Sequence, residues 1–234
     1  SHTHSGPGAW APGFAARGFA GSYDPRVLDR LVQSFSLAIA DAVEALEPAS
    51  LAWGGFEAPD LIRNRARDGA VDAHVGYLVV EQQDGDRCYV VRFSAHPTVL
   101  SGDNMYFSGD FPGHLQREIE ARTGAFALYL GGAVGSMGPR PPEGPDAYSR
   151  AAALGRDLAA RVLDAAANVE LRPAVEVAAV GAPVAVPPFQ ARLSLRWRLS
   201  PYAFRLAGVD DDAWIQGVRL GDLVLVGMPC DFSG

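Results

Sequence analysis

The sequence predicts a mixed α/β fold, in which a mostly buried central β-sheet is flanked by helices. Apolar residues at helical spacing alternate along the chain with short apolar or alternating stretches typical of strands. The chain has 234 residues, of which 48% are hydrophobic and 20% charged, so it can bury a large core. We expect one domain over residues 1–234, with a surface loop at 138–146, where the sequence reads GPRPPEGPD.

Three helices are predicted from capping residues and periodicity. Asp24 can cap the first helix and Pro25 suits its first position, while Pro48 closes it. Its apolar residues recur every three or four positions, so we expect one face to lie in the core. The three predicted spans are 24–48, 110–123 and about 147–168.

The strands are predicted from short apolar runs and turn residues. A hairpin is expected at 77–95, with its turn at Asp84-Gly85-Asp86. AFALYLGG, at 125–132, is continuously apolar, which is typical of a strand buried on both faces. The other predicted strands are 50–56, 175–180, 189–199, 213–220 and 222–228.

Charge and composition exclude several classes of function. The net charge is −7 and the pI is about 5.2, and no basic stripe with interleaved aromatic residues occurs, so we expect no nucleic-acid partner. No apolar run reaches the 18 residues of a membrane span, and therefore no transmembrane segment is predicted. The two cysteines, Cys88 and Cys230, permit at most one disulfide.

Polar residues follow three apolar strands directly. Strand 89–95 runs into His96-Pro97, strand 125–132 runs into a Gly-Ser loop, and strand 222–228 runs into Pro229-Cys230-Asp231. Ligands of open α/β sheets bind beyond the carboxyl ends of the strands, so these endings predict one site. Each residue also has a structural interpretation, since a histidine at a strand end can be a hydrogen-bonded core residue and the aspartate a turn former.

The N-terminal segment HTHSGPG carries His2 and His4 two residues apart. In an extended segment, residues i and i+2 point to the same side, so the two imidazoles can converge on one point. Two histidines alone bind zinc weakly, because zinc centres use three or four ligands. Together with His96 and Asp231, His2 would provide a set of two imidazoles and one carboxylate, the ligand type of many hydrolytic zinc centres.

Five motifs occur in the order found in neutral/alkaline ceramidases of the non-lysosomal type, which the chain resembles. They are HTHSGPG (2–8), AHPTVL (95–100), SGDFPGHL (108–115), GAVGSMGP (132–139) and LGDLVLVGMPCDFSG (220–234). The resemblance implies a zinc-dependent hydrolase that cleaves the amide bond of ceramide, and a catalytic domain truncated here at both ends. It also implies a small-molecule or lipid substrate, peripheral contact with membrane lipid, and a secreted or extracytoplasmic location.

The resemblance also implies roles for individual residues. His2 and His96 match zinc ligands of the family, and His4 matches a histidine that assists catalysis. Arg65 matches an arginine that positions the substrate or the developing oxyanion. Asp231 stands where the family has a glutamate ligand, one methylene longer.

One departure concerns the family's essential serine. That serine is replaced by Gly138, while Ser136 stands at the position of the family's aspartate. A three-ligand zinc lowers the pKa of its bound water to about 7, so hydrolysis does not require the serine. His4 could then transfer the proton, and Arg65 or the N–H groups of the loop containing Gly135, Ser136 and Gly138 could stabilise the oxyanion.

Three functions remain open from the sequence. The first is a zinc-dependent amidohydrolase acting on a ceramide-like lipid or on another amide or ester. The second is a catalytically silent relative that serves as a binding domain, which the missing serine and the shorter carboxylate favour. The third is a metal-free hydrolase that uses Ser136, for which the sequence offers no carboxylate to orient a histidine.

Overall fold

The computed structural model describes residues 2–66, 68–185, 194, 196–200, 202, 212–231 and 233. These residues form four α-helices and nine β-strands, which confirms the predicted mixed α/β class. The helices are α1 (Phe14–Ala20), α2 (Pro25–Glu44), α3 (Asp110–Thr123) and α4 (Ala147–Ala166). The strands are β1 (Ala49–Glu57), β2 (Ile62–Asn64), β3 (His74–Gln82), β4 (Arg87–Phe93), β5 (Phe126–Gly131), β6 (Met137–Pro139), β7 (Val177–Ala185), β8 (Asp212–Leu220) and β9 (Leu223–Gly227).

The strands of the described residues form three sheets. The largest has the order β1-β3-β4-β5, in which only β4 and β5 are parallel. A two-stranded ladder joins β2 to β6, and an antiparallel sheet contains β7, β8 and β9. Because β4 and β5 are parallel, their carboxyl ends lie at the same edge of the sheet.

Local sequence signals placed several boundaries correctly. The Asp24 carboxylate accepts a hydrogen bond from the backbone N–H of Arg26 at the start of α2, as an N-cap does. Gly124 ends α3 in the left-handed conformation, with φ of 72°. The turn between β3 and β4 contains Gly85 at φ of 96°, where the predicted Asp-Gly-Asp turn lies.

The core lies between one face of the four-stranded sheet and helices α3 and α4. Alternate residues of β4, including Tyr89, Val91 and Phe93, point to this face and are buried. Phe111 of α3 and Leu158 of α4 are completely buried against them. This packing fixes the sheet and therefore the edge at which β4 and β5 end.

Two predictions of burial are wrong. In β5, Ala127 and Tyr129 are buried, but Phe126 is 59% exposed and Leu128 41% exposed, so the strand is buried on one face only. The outer face borders a cavity of about 1160 Å³ between the four-stranded sheet and β9. Helix α2 has no buried residue among those described, and Phe35 is 65% exposed. Periodicity defines an apolar face but does not say what covers it.

The remaining predicted segments fit in part. Gly138 and Pro139, the first two residues of the predicted 138–146 loop, are buried in β6, and residues 140–146 connect β6 to α4. The strand predicted at 189–199 lies mainly outside the described residues. In the part of the chain that the structure describes, no helix is both long enough and apolar enough to cross a bilayer.

Candidate metal centre and active site

The loops that follow β4 and β5 meet at the shared edge of the sheet. The Gly132 N–H donates to the carbonyl of Phe93 at 2.9 Å, and the His96 N–H donates to the carbonyl of Met137 at 3.3 Å. His96 is 1% exposed. The parallel pairing therefore places the imidazole of His96 beside the loop of residues 132–137.

A second segment, residues 2–8, lies against the loop that precedes α3. The Thr3 hydroxyl donates to the carbonyl of Ser108 at 2.8 Å, and the Ser108 N–H donates to the carbonyl of Ser5 at 3.1 Å. With Thr3 turned toward Ser108, the side chains on either side of it are free to face the other way. This is where His2 and His4 meet.

The three histidines form one cluster. Each offers a ring nitrogen, and the three nitrogens lie within 4.8 Å of one another. The Nε2 atoms of His4 and His96 are 2.9 Å apart. The ring centroids of His2 and His96 are 4.7 Å apart, and those of His2 and His4 are 5.4 Å apart.

A carboxylate from the C-terminal segment adjoins this cluster. Asp231 Oδ2 lies 3.3 Å from His2 Nε2. An isolated β-bridge between Val134 and Ser233 ties this segment to the loop after β5. The structure therefore brings together His2, His4, His96 and Asp231, which are separated by up to 229 positions in the sequence.

Two groups compete for the second ring nitrogen of His96. Its Nδ1 lies 3.1 Å from the carbonyl of Val134 and 2.8 Å from Nη2 of Arg65. If Nδ1 carries the proton, it donates to Val134 and leaves Nε2 free as a ligand, as in most metal-binding histidines. Arg65 can then use its bond of 3.2 Å to the carbonyl of Gly135.

The electrostatic environment favours neutral imidazoles. Burial lowers the pKa of His96, and the nearby Arg65 guanidinium lowers it further, against the effect of the Val134 carbonyl. Burial also lowers the pKa of His4, helped by His2 and Arg65, whereas Asp231 and Asp110 act in the opposite direction. A neutral imidazole is the form that binds a metal ion or accepts a proton.

The donor set fits a zinc ion in chemistry and in spacing. A tetrahedral zinc with Zn–N distances of about 2.0–2.1 Å holds two nitrogen ligands about 3.3 Å apart. The ring nitrogens of His2 and His96 lie within 4.8 Å of each other, so small side-chain adjustments would bring them to that spacing, with His4 beside them. The carboxylate of Asp231 is a further suitable ligand.

Other residues predicted for the site border this cluster. The Arg65 N–H donates to the carbonyl of Ser136 at 2.8 Å, which continues the ladder between β2 and β6. Ser136 is 6% exposed, and its neighbour Gly135 accepts the bond from the Arg65 side chain. Gly138 pairs with Arg63 in the same ladder.

Asp110 is a residue that the sequence analysis did not select for the site. It is 1% exposed and accepts hydrogen bonds from the N–H groups of Leu100 and Phe111, at 2.8 and 2.6 Å. Burial raises the pKa of its carboxyl group, and its charge raises the pKa of His4. Asp110 belongs to the SGDFPGHL motif, which could have indicated a role in the site. From the sequence, this residue was predicted only to begin a helix.

The chain is similar to known proteins in structure and not in sequence. No protein-family model matches the chain, and no curated protein matches it significantly in sequence. Neutral ceramidase from Pseudomonas aeruginosa has a similar structure, with a TM-score of 0.77 and 17% identity, over 97% of this chain and 47% of that one. A ceramidase complexed with C2 gives a TM-score of 0.79 and 16% identity, over 99% of this chain and 49% of that one.

These matches extend along nearly the whole chain but cover only part of the larger proteins. The chain spans about half the length of the ceramidase structures that it matches. Identity of 16–17% supports a statement about the fold only. The resemblance predicted from the sequence motifs is thus confirmed at the level of structure: the chain has a ceramidase-like fold, distant in sequence from the neutral ceramidases.

Proposed function

We propose that this chain carries the metal centre of a zinc-dependent hydrolase that cleaves an N-acyl bond, with a ceramide-like lipid as the favoured substrate. The observation that carries the proposal is the convergence of His2, His4 and His96, with Asp231 3.3 Å from His2. Imidazoles and a carboxylate around one point are the ligand types of hydrolytic zinc centres. The ceramidase-like fold supports the choice of an amide bond.

The residues of the site have distinct roles in this proposal. His2, His96 and Asp231 hold the zinc ion. A zinc ion bound there would supply a water of lowered pKa and polarise the carbonyl of the substrate. His4, whose pKa is lowered mainly by burial, takes the proton and returns it to the leaving nitrogen.

Arg65 is assigned to the developing oxyanion in this proposal. Its guanidinium lies 2.8 Å from His96 Nδ1 and 3.2 Å from the carbonyl of Gly135, so it is held at the border of the cluster. From there it stabilises negative charge that develops on the carbonyl oxygen of the substrate. The N–H groups of the loop with Gly135, Ser136 and Gly138 act as further donors to the oxyanion.

The surroundings of the site support a lipid substrate. The segment before α3, which holds residues 2–8 in place, carries Met105 at 89% and Phe107 at 82% exposure. Neighbouring apolar side chains exposed to this degree often mark a contact surface. We expect this segment to contact membrane lipid peripherally, in a secreted or extracytoplasmic setting.

Metal analysis with matched variants tests the proposal. We expect about one zinc per chain in the purified protein, with loss of zinc in His2→Ala and His96→Ala. His74→Ala is the control, because His74 is exposed and paired with Glu57 at 3.1 Å, outside the cluster. His4→Ala should keep the metal but lose hydrolysis. If His2→Ala and His96→Ala bind zinc as the control does, the proposed centre does not exist.

Hydrolysis is tested with a panel of N-acyl lipids and esters. We expect activity that chelation removes and zinc restores, and that His96→Ala abolishes. Ser136→Ala should reduce activity only modestly. Activity that survives chelation but is lost in Ser136→Ala would instead indicate the metal-free hydrolase.

A catalytically silent relative is the second candidate. Gly138 replaces the serine of the family motif and Asp231 replaces the longer glutamate. Stoichiometric zinc without turnover of any substrate in the panel would favour this function over hydrolysis.

A further inference from the structure

A second cavity lies beside the candidate metal centre and is lined by arginines. Its volume is about 430 Å³, and four arginine side chains contribute to its wall. They are Arg63, Arg65, Arg140 and Arg150. Arg65 also contacts His96, so this arginine pocket adjoins the histidine cluster.

The fold explains why these side chains converge. Arg63 in β2 and Arg65 just beyond its end are two positions apart, so both point to the same side. They flank Gly138 of β6, where a Cβ atom would lie 3.6 Å from Arg65 Cβ and 3.7 Å from Arg63 Nε. The missing side chain at Gly138 leaves the space open. Arg140 follows β6 directly, and its N–H is fixed by the carbonyl of Leu61 at 2.9 Å.

The fourth arginine lies at an electrostatically unfavourable place. Arg150 is in the first turns of α4, a helix of 20 residues that begins at Ala147. The amino end of a helix carries partial positive charge, so a cation there is repelled. No acidic residue occupies the first turn of α4, and Asp146 is engaged as the N-cap by the N–H of Ser149 at 2.7 Å. The helix end therefore adds to the positive potential around Arg150.

None of the four arginines has a carboxylate within 4.0 Å among the described residues. Asp60 experiences the charge of Arg140, but its carboxylate is held by both terminal nitrogens of Arg161, at 2.9 and 2.6 Å. Six arginines elsewhere in the described residues do have such a partner, whereas others, such as Arg30 on the exposed helix α2, have none. The six are Arg26, Arg87, Arg92, Arg161, Arg172 and Arg219.

We propose that the arginine pocket binds an oxyanion, either a carboxylate or a phosphate group, of a ligand that extends from the metal centre. Guanidinium groups match both anions in geometry, and charge-assisted hydrogen bonds to them are strong. A bound anion would also relieve the mutual repulsion of four like charges. The placement of this group on the substrate rests on the proposed function, whereas anion binding itself does not.

Calorimetric titration of the purified chain with inorganic phosphate, and separately with acetate, tests anion binding. We expect saturable binding that weakens with added NaCl, and an affinity lower by about tenfold or more in Arg63→Gln and in Arg150→Gln. Arg30→Gln is the control, because it removes one positive charge, as the pocket variants do, from an exposed residue of α2 outside the pocket. The ratio of phosphate to acetate affinity identifies which anion the pocket prefers.

The histidine cluster could bind anions through a metal ion, and one further variant separates the two sites. Binding at the pocket should persist in His2→Ala. Binding that is lost in His2→Ala but retained in Arg63→Gln and Arg150→Gln would overturn the proposal. So would equal affinities in the pocket variants and the Arg30→Gln control, or the absence of saturable binding to both anions.

The substrate arm compares N-acyl amino acids, acyl lipids with a phosphate head group and neutral ceramide. We expect Arg63→Gln to lower kcat/KM by about tenfold for the anionic substrates and to leave that for ceramide within about twofold. An equal loss for all three substrates would refute the placement of the anion on the substrate. If no substrate is cleaved while the pocket binds anions as expected, the proposed hydrolysis fails and anion binding stands.

Discussion

The contact between α3 and α4 gives the sharpest test of the packing, through the single substitution Gly155→Ala. Gly155 is buried in the middle of α4. A Cβ atom added there would lie 2.6 Å from both His114 Cβ and the carbonyl oxygen of Phe111, and 2.8 Å from the N atom of Leu115. Two of these three atoms belong to the backbone of α3, so rotation of a side chain cannot relieve the overlap.

The magnitude follows from two opposing effects. Alanine is a better helix former than glycine by about 1 kcal/mol. Carbon atoms pack at about 3.5–4.0 Å, so the helices would have to separate by roughly 1 Å, and overpacking of a core costs about 1–3 kcal/mol. Because the contacts of 2.6–2.8 Å involve backbone atoms, the cost should lie in the upper part of this range, about 2–3 kcal/mol. After the gain in helix propensity is subtracted, we expect Gly155→Ala to lower the free energy of unfolding by about 1–2 kcal/mol.

Urea denaturation followed by circular dichroism measures this change, with Gly113→Ala as the matched control. Gly113 is inside α3, and the nearest atom to its added Cβ is Arg117 Nη1, at the end of a flexible side chain 3.4 Å away. The control should be more stable than the wild type by about 0.5–1 kcal/mol. If Gly155→Ala is as stable as the wild type, or shifts like the control, the close approach of the helices is refuted.

Two further predictions concern thiol reactivity and pH. Both cysteines are free; Cys230 is exposed, whereas Cys88 is half-buried and burial raises the pKa of its thiol. A disulfide reagent should therefore modify one thiol in a rapid phase, and Cys230→Ser should remove this rapid phase. A fast phase that survives Cys230→Ser would contradict this. Burial tends to raise the pKa of Asp72, but hydrogen bonds from Arg92 and Ser94 lower this pKa overall. The Asp72 carboxylate therefore stabilises the folded protein fully above the unfolded pKa of about 3.9, and this contribution is lost as the pH falls through the lower folded pKa. Asp72→Asn should therefore be less stable than the wild type at pH 7 in urea denaturation, and the difference should shrink at pH 3; a constant difference would be evidence against it.

Local structure could be predicted from sequence where neighbouring residues decide it. The carboxylate of Asp24 caps α2 because its acceptor lies two residues away, and Gly124 ends α3 because it tolerates positive φ. The hairpin turn around Gly85 is local for the same reason. Burial was less predictable: the apolar runs of β5 and α2 indicated apolar faces, and only the packing showed which of them the described residues cover.

The candidate site was predicted in its residues but not in its geometry. The resemblance to the ceramidase family indicated His2, His4 and His96 as site residues. The polar residues that follow the strands predicted that the site lies at one edge of a sheet. That His4 and His96 approach to 2.9 Å, and that the Val134 carbonyl and Arg65 compete for His96, depends on chain pairing over more than 30 residues. No local pattern encodes such distances, because they are set by the register between strands.

The sequence by itself determined the periodicities, the caps and the set of residue types able to hold a zinc ion. Only the tertiary structure decided which of them meet, because the parallel pairing of β4 with β5 and the ladder between β2 and β6 bring distant loops to one edge. The same ladder gathers the arginines around Gly138, although only Arg65 among them was selected from the sequence. Side-chain identity sets the chemistry that is available, and the long-range pairing of the backbone selects where it acts.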